Sequence, residues 1–316
     1  MTSSKNKVAI FVCNDLTGLL ILNQIVPGMK YLGYEPVIFH TGDYRNSQFK
    51  IPTPPVVSFF NTVITRDVII PTLESQQPAL DKNCSFRQLS ARYNLEYQEI
   101  DNVNDPILLS EITKDDGYCG GIALRFLQVF GTEAINIFHE KGFLWNLHSG
   151  LLPRYKGLLT PFRAIENGDQ TYGMTLHDLT AGIDEGDVIQ IYELPLDHTK
   201  PILDLYMDAV PVGTEMILSS LVTLKERGVV DFIPQKELQS RTYYTNPTSQ
   251  EFRNFMTRGI IYADPYQAIE RIVKLFSVEG TSLHISLKRA LLLAVSNAVH
   301  VPPAFSKDLL ESGAFR

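Results

Sequence analysis

Three polar side chains in the middle of the chain have types and a spacing that could do chemistry. Asn146 and His148 stand two residues apart in the apolar run FLWNLH. In a β-strand, residues i and i+2 project from the same face, so an amide and an imidazole would lie side by side. Asp184 follows in GIDEGDVI, at the start of another strand-like run, and the intervening LLPRYKG has a proline and a glycine that favour an irregular loop. The pattern predicts one site with an amide, an imidazole and a carboxylate.

This set favours direct attack on a carbonyl group. It contains no serine or cysteine nucleophile, so it does not suit covalent acyl transfer. An amine from the substrate could instead attack the carbonyl, while the Asn146 amide and a protonated His148 donate to the developing oxyanion; removal of one such donor typically costs about 2.7–4 kcal/mol. A nearby Asp184 carboxylate would raise the pKa of His148 and help to move protons.

Each residue also has a purely structural interpretation. An asparagine and a histidine near a strand end are commonly loop polar groups with satisfied hydrogen bonds, and Asp184 could be a turn residue before Gly186. The combination at this spacing favours chemistry. His177 lies in the middle of the strand-like run MTLHDL and is interpreted as a hydrogen-bonded structural residue.

Residues 143–190 resemble the signature of the folate-dependent formyltransferases. The resemblance rests on Asn146-Leu-His148-Ser-Gly-Leu-Leu-Pro-Arg-Tyr-Lys-Gly157 and on Asp184-Glu-Gly186, with the helix PFRAIENGD and the strand GMTLHDL between them. The family includes glycinamide ribonucleotide, methionyl-tRNA and sugar N-formyltransferases. The resemblance implies 10-formyltetrahydrofolate as formyl donor, no metal, and Asn146, His148 and Asp184 as the catalytic residues.

Two further segments bear on the ligands. IALRFLQVFG resembles the part of the family that holds the pterin ring, which assigns Leu124, Arg125 and Phe126 to the folate pocket; the alternative is a plain strand-to-helix turn. The first loop, CNDLTG, has Gly18 as its one glycine, whereas ribonucleotide-formylating relatives carry a Gly-rich phosphate loop there. This difference argues against glycinamide ribonucleotide as the acceptor.

The order of elements predicts the framework. KVAIFVC and EPVIFHTG read as buried strands around the helix LLILNQIVPGMKYLG, which is typical of an α/β, doubly wound, Rossmann-like and mostly parallel sheet. We expect a catalytic domain over residues 1–200, then covering helices and a smaller C-terminal subdomain over 201–316. KPILDLYMDAVPVGTEMILSSLVTLKERG is interpreted as a helix pair, DPYQAIERIVKLF as an amphipathic helix and HISLKRALLLAVSNA as a short helix at most. The rings of Tyr243, Tyr244 and Tyr262 could line an acceptor site or an interface, although such residues more often pack a small subdomain.

Composition narrows the class of protein. The chain has 316 residues, 44% hydrophobic and 20% charged, as in soluble globular proteins. A net charge of −7 disfavours nucleic acid as a partner. The three cysteines have no metal-ligand spacing, and a reducing cytoplasm is the simplest setting. We see no secretory signal and expect no segment to span a membrane; a homodimer is left open.

The leading hypothesis is an N-formyltransferase that acts on a small-molecule amine, such as an amino sugar nucleotide or a secondary-metabolite amine. A 10-formyltetrahydrofolate hydrolase could use the same residues, but such hydrolases usually begin with an amino-acid-sensing domain, and this chain starts directly with the first strand. A methionyl-tRNA formyltransferase-like enzyme is a further alternative, disfavoured by charge. A silent folate-binding protein is disfavoured by the complete set of three residues.

Overall fold

A computed structural model describes residues 5–42, 53–235 and 242–300 of the chain. The strands are β1 Lys7–Cys13, β2 Glu35–Thr41, β3 Glu96–Glu99, β4 Tyr118–Leu124, β5 Leu144–His148, β6 Lys156–Gly157, β7 Thr171–Asp178, β8 Val188–Pro195 and β9 Tyr243–Tyr244. Seven of them form one sheet in the order β3-β2-β1-β4-β5-β7-β8, while β6 and β9 pair separately. The pairs among β1–β5 are parallel, and β7 and β8 join antiparallel. The predicted doubly wound, mostly parallel α/β fold is confirmed.

Helices cover both faces of this sheet. They are α1 Leu16–Tyr31, α2 Pro55–Ser58, α3 Ile70–Glu74, α4 Phe86–Tyr93, α5 Pro106–Lys114, α6 Thr132–Lys141, α7 Thr160–Glu166, α8 Ile202–Arg227, α9 Ser249–Met256, α10 Pro265–Phe276 and α11 Ser282–His300; two π-helical turns, Phe59–Val63 and Thr65–Ile69, lie between α2 and α3. Side chains of β1 alternate between the two cores, with Val8 and Ile10 on the α1 side and Ala9 and Phe11 on the α5 and α6 side. This alternation explains why the central strands read as continuous apolar runs.

Two helix predictions in the last third of the chain were wrong. The expected helix pair after residue 200 is the single 26-residue helix α8, which includes Pro211 and ends at Gly228. The expected short helix near residue 290 is the 19-residue helix α11, which packs on α10. Tertiary contacts stabilise both helices beyond what local propensity indicates. The amphipathic helix α10 is confirmed, and the domain division near residue 200 stays a prediction.

Two helical stretches, Pro55–Glu74 and Ile202–Arg227, are long and apolar enough to cross a membrane by length and composition. The sequence analysis expected no segment that could span a membrane. Of their most apolar windows, 56% and 44% are buried inside the protein, and α8 packs against α1 and β7. Buried core helices meet the same criteria, so these stretches are weak indicators of a membrane.

Candidate active site

A cleft opens at the carboxyl ends of β4 and β5, where ligands of open α/β sheets generally bind. Its walls are residues 125–130 after β4, the end of β5, residues 157–158, His177, and residues 179–184. Tyr243 and Asn246 reach it from the C-terminal part of the chain. The cleft therefore combines the strand-end region with residues more than fifty positions beyond it.

The three side chains predicted to act together lie in this cleft. Asn146 and His148 both line it from β5, as their shared face predicts. Oδ1 of Asp184 lies 3.5 Å from Nδ1 of His148. The predicted convergence of the three residues is confirmed; their catalytic roles remain predictions.

The tautomer of His148 follows from its second nitrogen. Nε2 lies 2.7 Å from the carbonyl oxygen of Tyr155, which can only accept, so Nε2 carries a proton. Burial lowers the pKa of His148 by more than the Asp184 carboxylate raises it. The expectation that Asp184 gives His148 a raised pKa was therefore wrong, because desolvation of the ring outweighs the neighbouring charge. At neutral pH the ring is neutral, with an unprotonated Nδ1 beside Asp184.

Asp184 is held in an ionised state by its surroundings. Burial raises the pKa of its carboxyl, but the His148 and His177 rings, which are protonated in acid, and the N–H of Gly157 lower it by more, so the net pKa lies well below its usual range. The Gly157 N–H donates to Oδ2 over 2.7 Å. Gly157 has φ of +91°, and a Cβ atom there would meet the Tyr244 carbonyl oxygen, so a glycine is required at this close approach.

Gly186 explains the second part of the Asp184-Glu-Gly186 motif. A Cβ atom at this position would overlap the Asp178 carbonyl oxygen of the neighbouring strand β7. The turn that carries Asp184 can therefore approach β7 only with a glycine two residues later. The motif therefore combines the Asp184 carboxylate with a glycine that is needed for steric reasons.

His177 belongs to the cleft, which the sequence did not indicate. It is hydrogen-bonded, as expected, since its Nδ1 donates to the Asp178 carbonyl oxygen over 2.6 Å. However, its Nε2 lies 3.0 Å from Nδ2 of Asn146 and 3.7 Å from Oδ1 of Asp184. The antiparallel register places His177 directly opposite Asn146. The alternation of residues along MTLHDL indicates which residues share the strand face of His177. Only the pairing of this strand with β5 shows that this face also carries Asn146.

The predicted folate-pocket residues differ in where they lie. Leu124 is fully buried in the core and does not line the cleft, because it is the last residue of a strand packed between β1 and β5. The Leu124 side chain therefore does not contribute to the cleft surface, and the assignment of residues 124–126 to a folate pocket stays a prediction. Arg125 and Phe126 do line the cleft, together with residues 127–130. Residues 125–130 form the wall of the cleft after β4, and their contact with a donor stays a prediction.

Arg125 is also part of a buried ion pair with the first loop. Its guanidinium lies 3.3 Å from Oδ2 of Asp15 and 3.3 Å from the Ser149 hydroxyl. Oδ1 of Asp15 accepts from the Gly18 N–H over 3.0 Å and from the Thr17 hydroxyl over 2.5 Å, so it caps α1. The helix terminus that could bind a phosphate is satisfied by this internal carboxylate.

Of the three tyrosines considered for an acceptor site, two pack the structure and one lines the cleft. Tyr244 stacks on Tyr155, and the buried Tyr262 donates to Oδ1 of Asn61 over 2.6 Å, so both pack the structure. Tyr243 lines the cleft with 48% of its surface exposed. Burial and the Asp184 carboxylate raise the pKa of its phenol, which therefore stays protonated at neutral pH.

Residues 121–220 match the family model described as Formyl transferase, and this segment contains all three predicted catalytic residues. The resemblance to the formyltransferases is confirmed for this segment. Among the residues described by the structure, no group of three or more His, Cys, Asp or Glu side chains is arranged to hold a metal ion.

Curated relatives match part of the chain. The methionyl-tRNA formyltransferase of Ralstonia pickettii is 36% identical over 90 residues, which is 28% of this chain and 28% of that protein. The methionyl-tRNA formyltransferase of Neisseria meningitidis serogroup C is 26% identical over 159 residues, 48% of this chain and 49% of that protein. The chain thus spans about a quarter to a half of the length of these formyltransferases.

A solved formyltransferase shares the fold over most of the chain. The N-formyltransferase from Helicobacter canadensis, solved with folinic acid and dTDP-3-aminofucose, superposes with a TM-score of 0.51 at 15% identity. The superposition covers 90% of this chain and 80% of that one. The superposed part of the chain is thus much longer than the segment that matches the family model.

Proposed function

We propose that this protein is an N-formyltransferase that moves the formyl group of 10-formyltetrahydrofolate to the amine of a small molecule. The observation that carries the proposal is the position of His148, whose Nε2 is bonded to the Tyr155 carbonyl oxygen while its Nδ1 faces Asp184. This arrangement leaves one ring nitrogen to exchange a proton inside the cleft. Asn146 stands on the same strand face to stabilise the oxyanion.

The reaction uses this geometry in two steps. The acceptor nitrogen forms a bond to the formyl carbon, and the carbonyl oxygen becomes an oxyanion. One N–H of Asn146 is directed to His177, and the second can donate to the oxyanion. His148 takes the proton of the amine on Nδ1 and delivers it to N10 of tetrahydrofolate as the carbon–nitrogen bond to N10 breaks.

Asp184 supports the proton transfer without accepting the proton itself. Because its pKa is held low, it stays ionised beside the imidazolium that forms on His148. The charge pair exists only after the proton has moved, so its attraction stabilises the transition state more than the ground state. This role replaces the sequence-based hypothesis of a histidine that is protonated from the start.

The wall formed by residues 125–130 supports the proposal of a folate donor. That wall and its neighbours bring Leu127, Val129, Phe130 and Leu158 to the cleft, an apolar surface suited to a flat heterocycle. The Helicobacter canadensis enzyme of the same fold was solved with folinic acid. These observations support a reduced folate as the donor.

A small-molecule acceptor is supported by charge and by the first loop. The net charge of −7 disfavours tRNA. At the first loop, an incoming phosphate would meet the buried carboxylate of Asp15, which already caps α1. We therefore favour an amino sugar nucleotide or another small amine, held near Tyr243. The similarity to methionyl-tRNA formyltransferases keeps methionyl-tRNA as the second candidate.

The test is a comparison of acceptors with one donor. Purified protein is incubated with 10-formyltetrahydrofolate alone, then with dTDP-3-aminofucose, methionyl-tRNA or glycinamide ribonucleotide, and tetrahydrofolate release and N-formylated product are measured. We expect acceptor-dependent release with the amino sugar nucleotide and loss of release in Asn146→Ala. Release without any acceptor would identify a hydrolase, and preference for methionyl-tRNA would overturn the small-molecule proposal.

A further inference from the structure

The backbone of Asp184 adopts a conformation that needs support. Its φ is +52°, in the left-handed region that side-chain-bearing residues rarely occupy. Aspartate tolerates this region better than most residues, but surrounding contacts must hold it there. The Gly157 N–H holds the carboxylate end of the residue, and a different group holds the backbone end.

That group is the side-chain amide of Gln235, more than fifty residues later in the chain. Its Nε2 donates to the carbonyl oxygen of Asp184 over 3.0 Å and to that of Gly186 over 2.6 Å. Gln235 is 3% exposed. Its own backbone N–H donates to Oδ1 of Asp187 over 3.3 Å. One buried amide therefore joins both ends of the Asp184-Glu-Gly186 turn.

The segment before Gln235 is fixed to the same turn. Ile233 and Val188 exchange two backbone hydrogen bonds, of 2.7 and 2.9 Å, in an antiparallel bridge. Val188 begins the strand that follows the turn. These backbone hydrogen bonds therefore fix the position of the segment that carries Gln235 relative to the turn.

The environment of Oε1 indicates that the role of the Gln235 amide is to donate hydrogen bonds to the turn. Oε1 of Gln235 is buried and has no hydrogen-bond partner in the described part of the chain. A flipped amide would put Oε1 against two carbonyl oxygens, which cannot donate, so the orientation with Nε2 toward the turn is the consistent one. Burial of an amide oxygen without a hydrogen-bond partner lowers the stability of the fold. The two hydrogen bonds that Nε2 donates to the turn offset this cost.

We propose that Gln235 is a positioning residue, whose amide clamps the Asp184 turn and so sets the separation between the Asp184 carboxylate and His148. This inference rests on the proposed function for its catalytic consequence, although the clamp itself is defined by geometry. Without the two hydrogen bonds, the Asp184 backbone can relax out of the left-handed region. The carboxylate would then move away from Nδ1 of His148.

The experiment removes the Gln235 amide and, as a control, removes a second hydrogen-bonded glutamine amide outside the cleft. Gln235→Met keeps the length of the side chain and lacks both donors, and Gln235→Asn keeps an amide that is too short to reach both carbonyl oxygens. Gln190→Met is the control, because Nε2 of Gln190 also makes several hydrogen bonds, to the Ser219 and Ser220 hydroxyls of α8 among others, and Gln190 does not line the cleft. Thermal unfolding establishes that each variant is folded.

Two measurements read the clamp. The first is the NMR titration of the His148 imidazole, assigned by loss of its signal in His148→Asn; it does not depend on activity. Since the Asp184 charge stabilises the protonated ring, its retreat should move the His148 titration to lower pH in both Gln235 variants and leave it in place in Gln190→Met. The second is turnover of 10-formyltetrahydrofolate, where we expect kcat to fall by about ten- to a hundredfold, as for a displacement of about 1 Å, with folinic acid affinity unchanged.

The outcomes separate the clamp from the reaction. If the wild type turns over no formyl donor, the proposed function fails and the His148 titration alone decides the clamp. An unchanged His148 titration in both folded Gln235 variants overturns the positioning role. So does an equal shift in Gln190→Met, which would point to general loosening of the sheet.

Discussion

Nδ1 of His148 lies 3.5 Å from Oδ1 of Asp184, while the opposite ring nitrogen is bonded to the carbonyl oxygen of Tyr155. The backbone carbonyl fixes the tautomer, and the carboxylate stands where a second proton would appear. Burial lowers the pKa of the ring. The pair therefore consists of a neutral base next to a charge that stabilises its protonated form.

Replacement of Asp184 by asparagine should change both the rate and its pH dependence. Loss of the negative charge destabilises the imidazolium, so the pKa of His148 falls further. We expect kcat to drop by about 10²–10⁴-fold and the acid limb of its pH profile to move to lower pH, since a base of lower pKa stays unprotonated further into acid. The measurement is kcat against pH for both proteins with one acceptor.

Asp178→Asn is the matched control for this experiment. Asp178 is another partly buried carboxylate beside a histidine, with Oδ1 3.0 Å from Nε2 of His139, and it does not line the cleft. Its replacement should leave the acid limb unchanged. An acid limb that stays in place in Asp184→Asn would mean that Asp184 does not control the protonation of His148.

His148→Ala should slow formyl transfer strongly while folate binding persists. The imidazole acts on the proton in transit, so its loss lowers kcat by about 10²–10⁴-fold with little effect on ground-state binding. Turnover and the affinity for folinic acid are measured in parallel. His198→Ala is the control, because His198 also donates to a backbone carbonyl, that of Asp169 over 2.8 Å, outside the cleft. Near-normal turnover in His148→Ala would show that the assignment is wrong.

Tyr243→Ala should weaken binding of the acceptor and leave the donor unaffected. The ring stands at the cleft beside Gly157 and Asp184, on a different wall from residues 125–130. We expect the KM of the acceptor to rise about fivefold, as for loss of one aromatic contact of about 1 kcal/mol. Tyr192→Ala is the control, because Tyr192 is 49% exposed, much like Tyr243, but lies away from the cleft on β8. A rise in donor KM instead would place the ring at the folate end.

His40 should make the fold sensitive to acid. Its Nε2 donates to Oδ1 of Asn14 over 2.9 Å, and the Tyr97 hydroxyl lies 3.1 Å from Nδ1. Burial lowers the pKa of His40 from 6.5 to about 4. Between these pH values the unfolded chain binds the proton and the folded protein does not. Stability is therefore fully present above pH 6.5 and is lost as the pH falls toward 4, by about 3 kcal/mol.

His40→Gln should reduce that loss. The free energy of unfolding is measured by urea denaturation between pH 4 and 6.5 for the wild type, His40→Gln and His198→Gln. We expect a shallower dependence on pH in His40→Gln alone, even if its stability at neutral pH is lower. Parallel curves for all three proteins would exclude His40 as a source of the acid sensitivity.

The sequence identified the strand that carries Asn146 and His148 and the carboxylate that joins them, since alternation along one strand and a short turn motif are local features. It could not assign His177, because membership of the cleft depends on the antiparallel pairing of β5 with β7. For a similar reason, the sequence did not show that the Leu124 side chain points into the core and not into the cleft. One residue separates a strand end in the core from a loop in the cleft, and local pattern does not resolve that boundary.

What the sequence determined by itself was the sheet framework, the three polar residues and the family resemblance, all encoded in contiguous segments. Only the tertiary structure decided that His148 is neutral, because burial of the ring depends on Tyr155, Asp184 and the layers packed around them. It also decided that Gln235, far along the chain, holds the Asp184 turn. Ionisation and positioning are set by desolvation and by contacts between distant segments, and neither is written in the spacing of neighbouring residues.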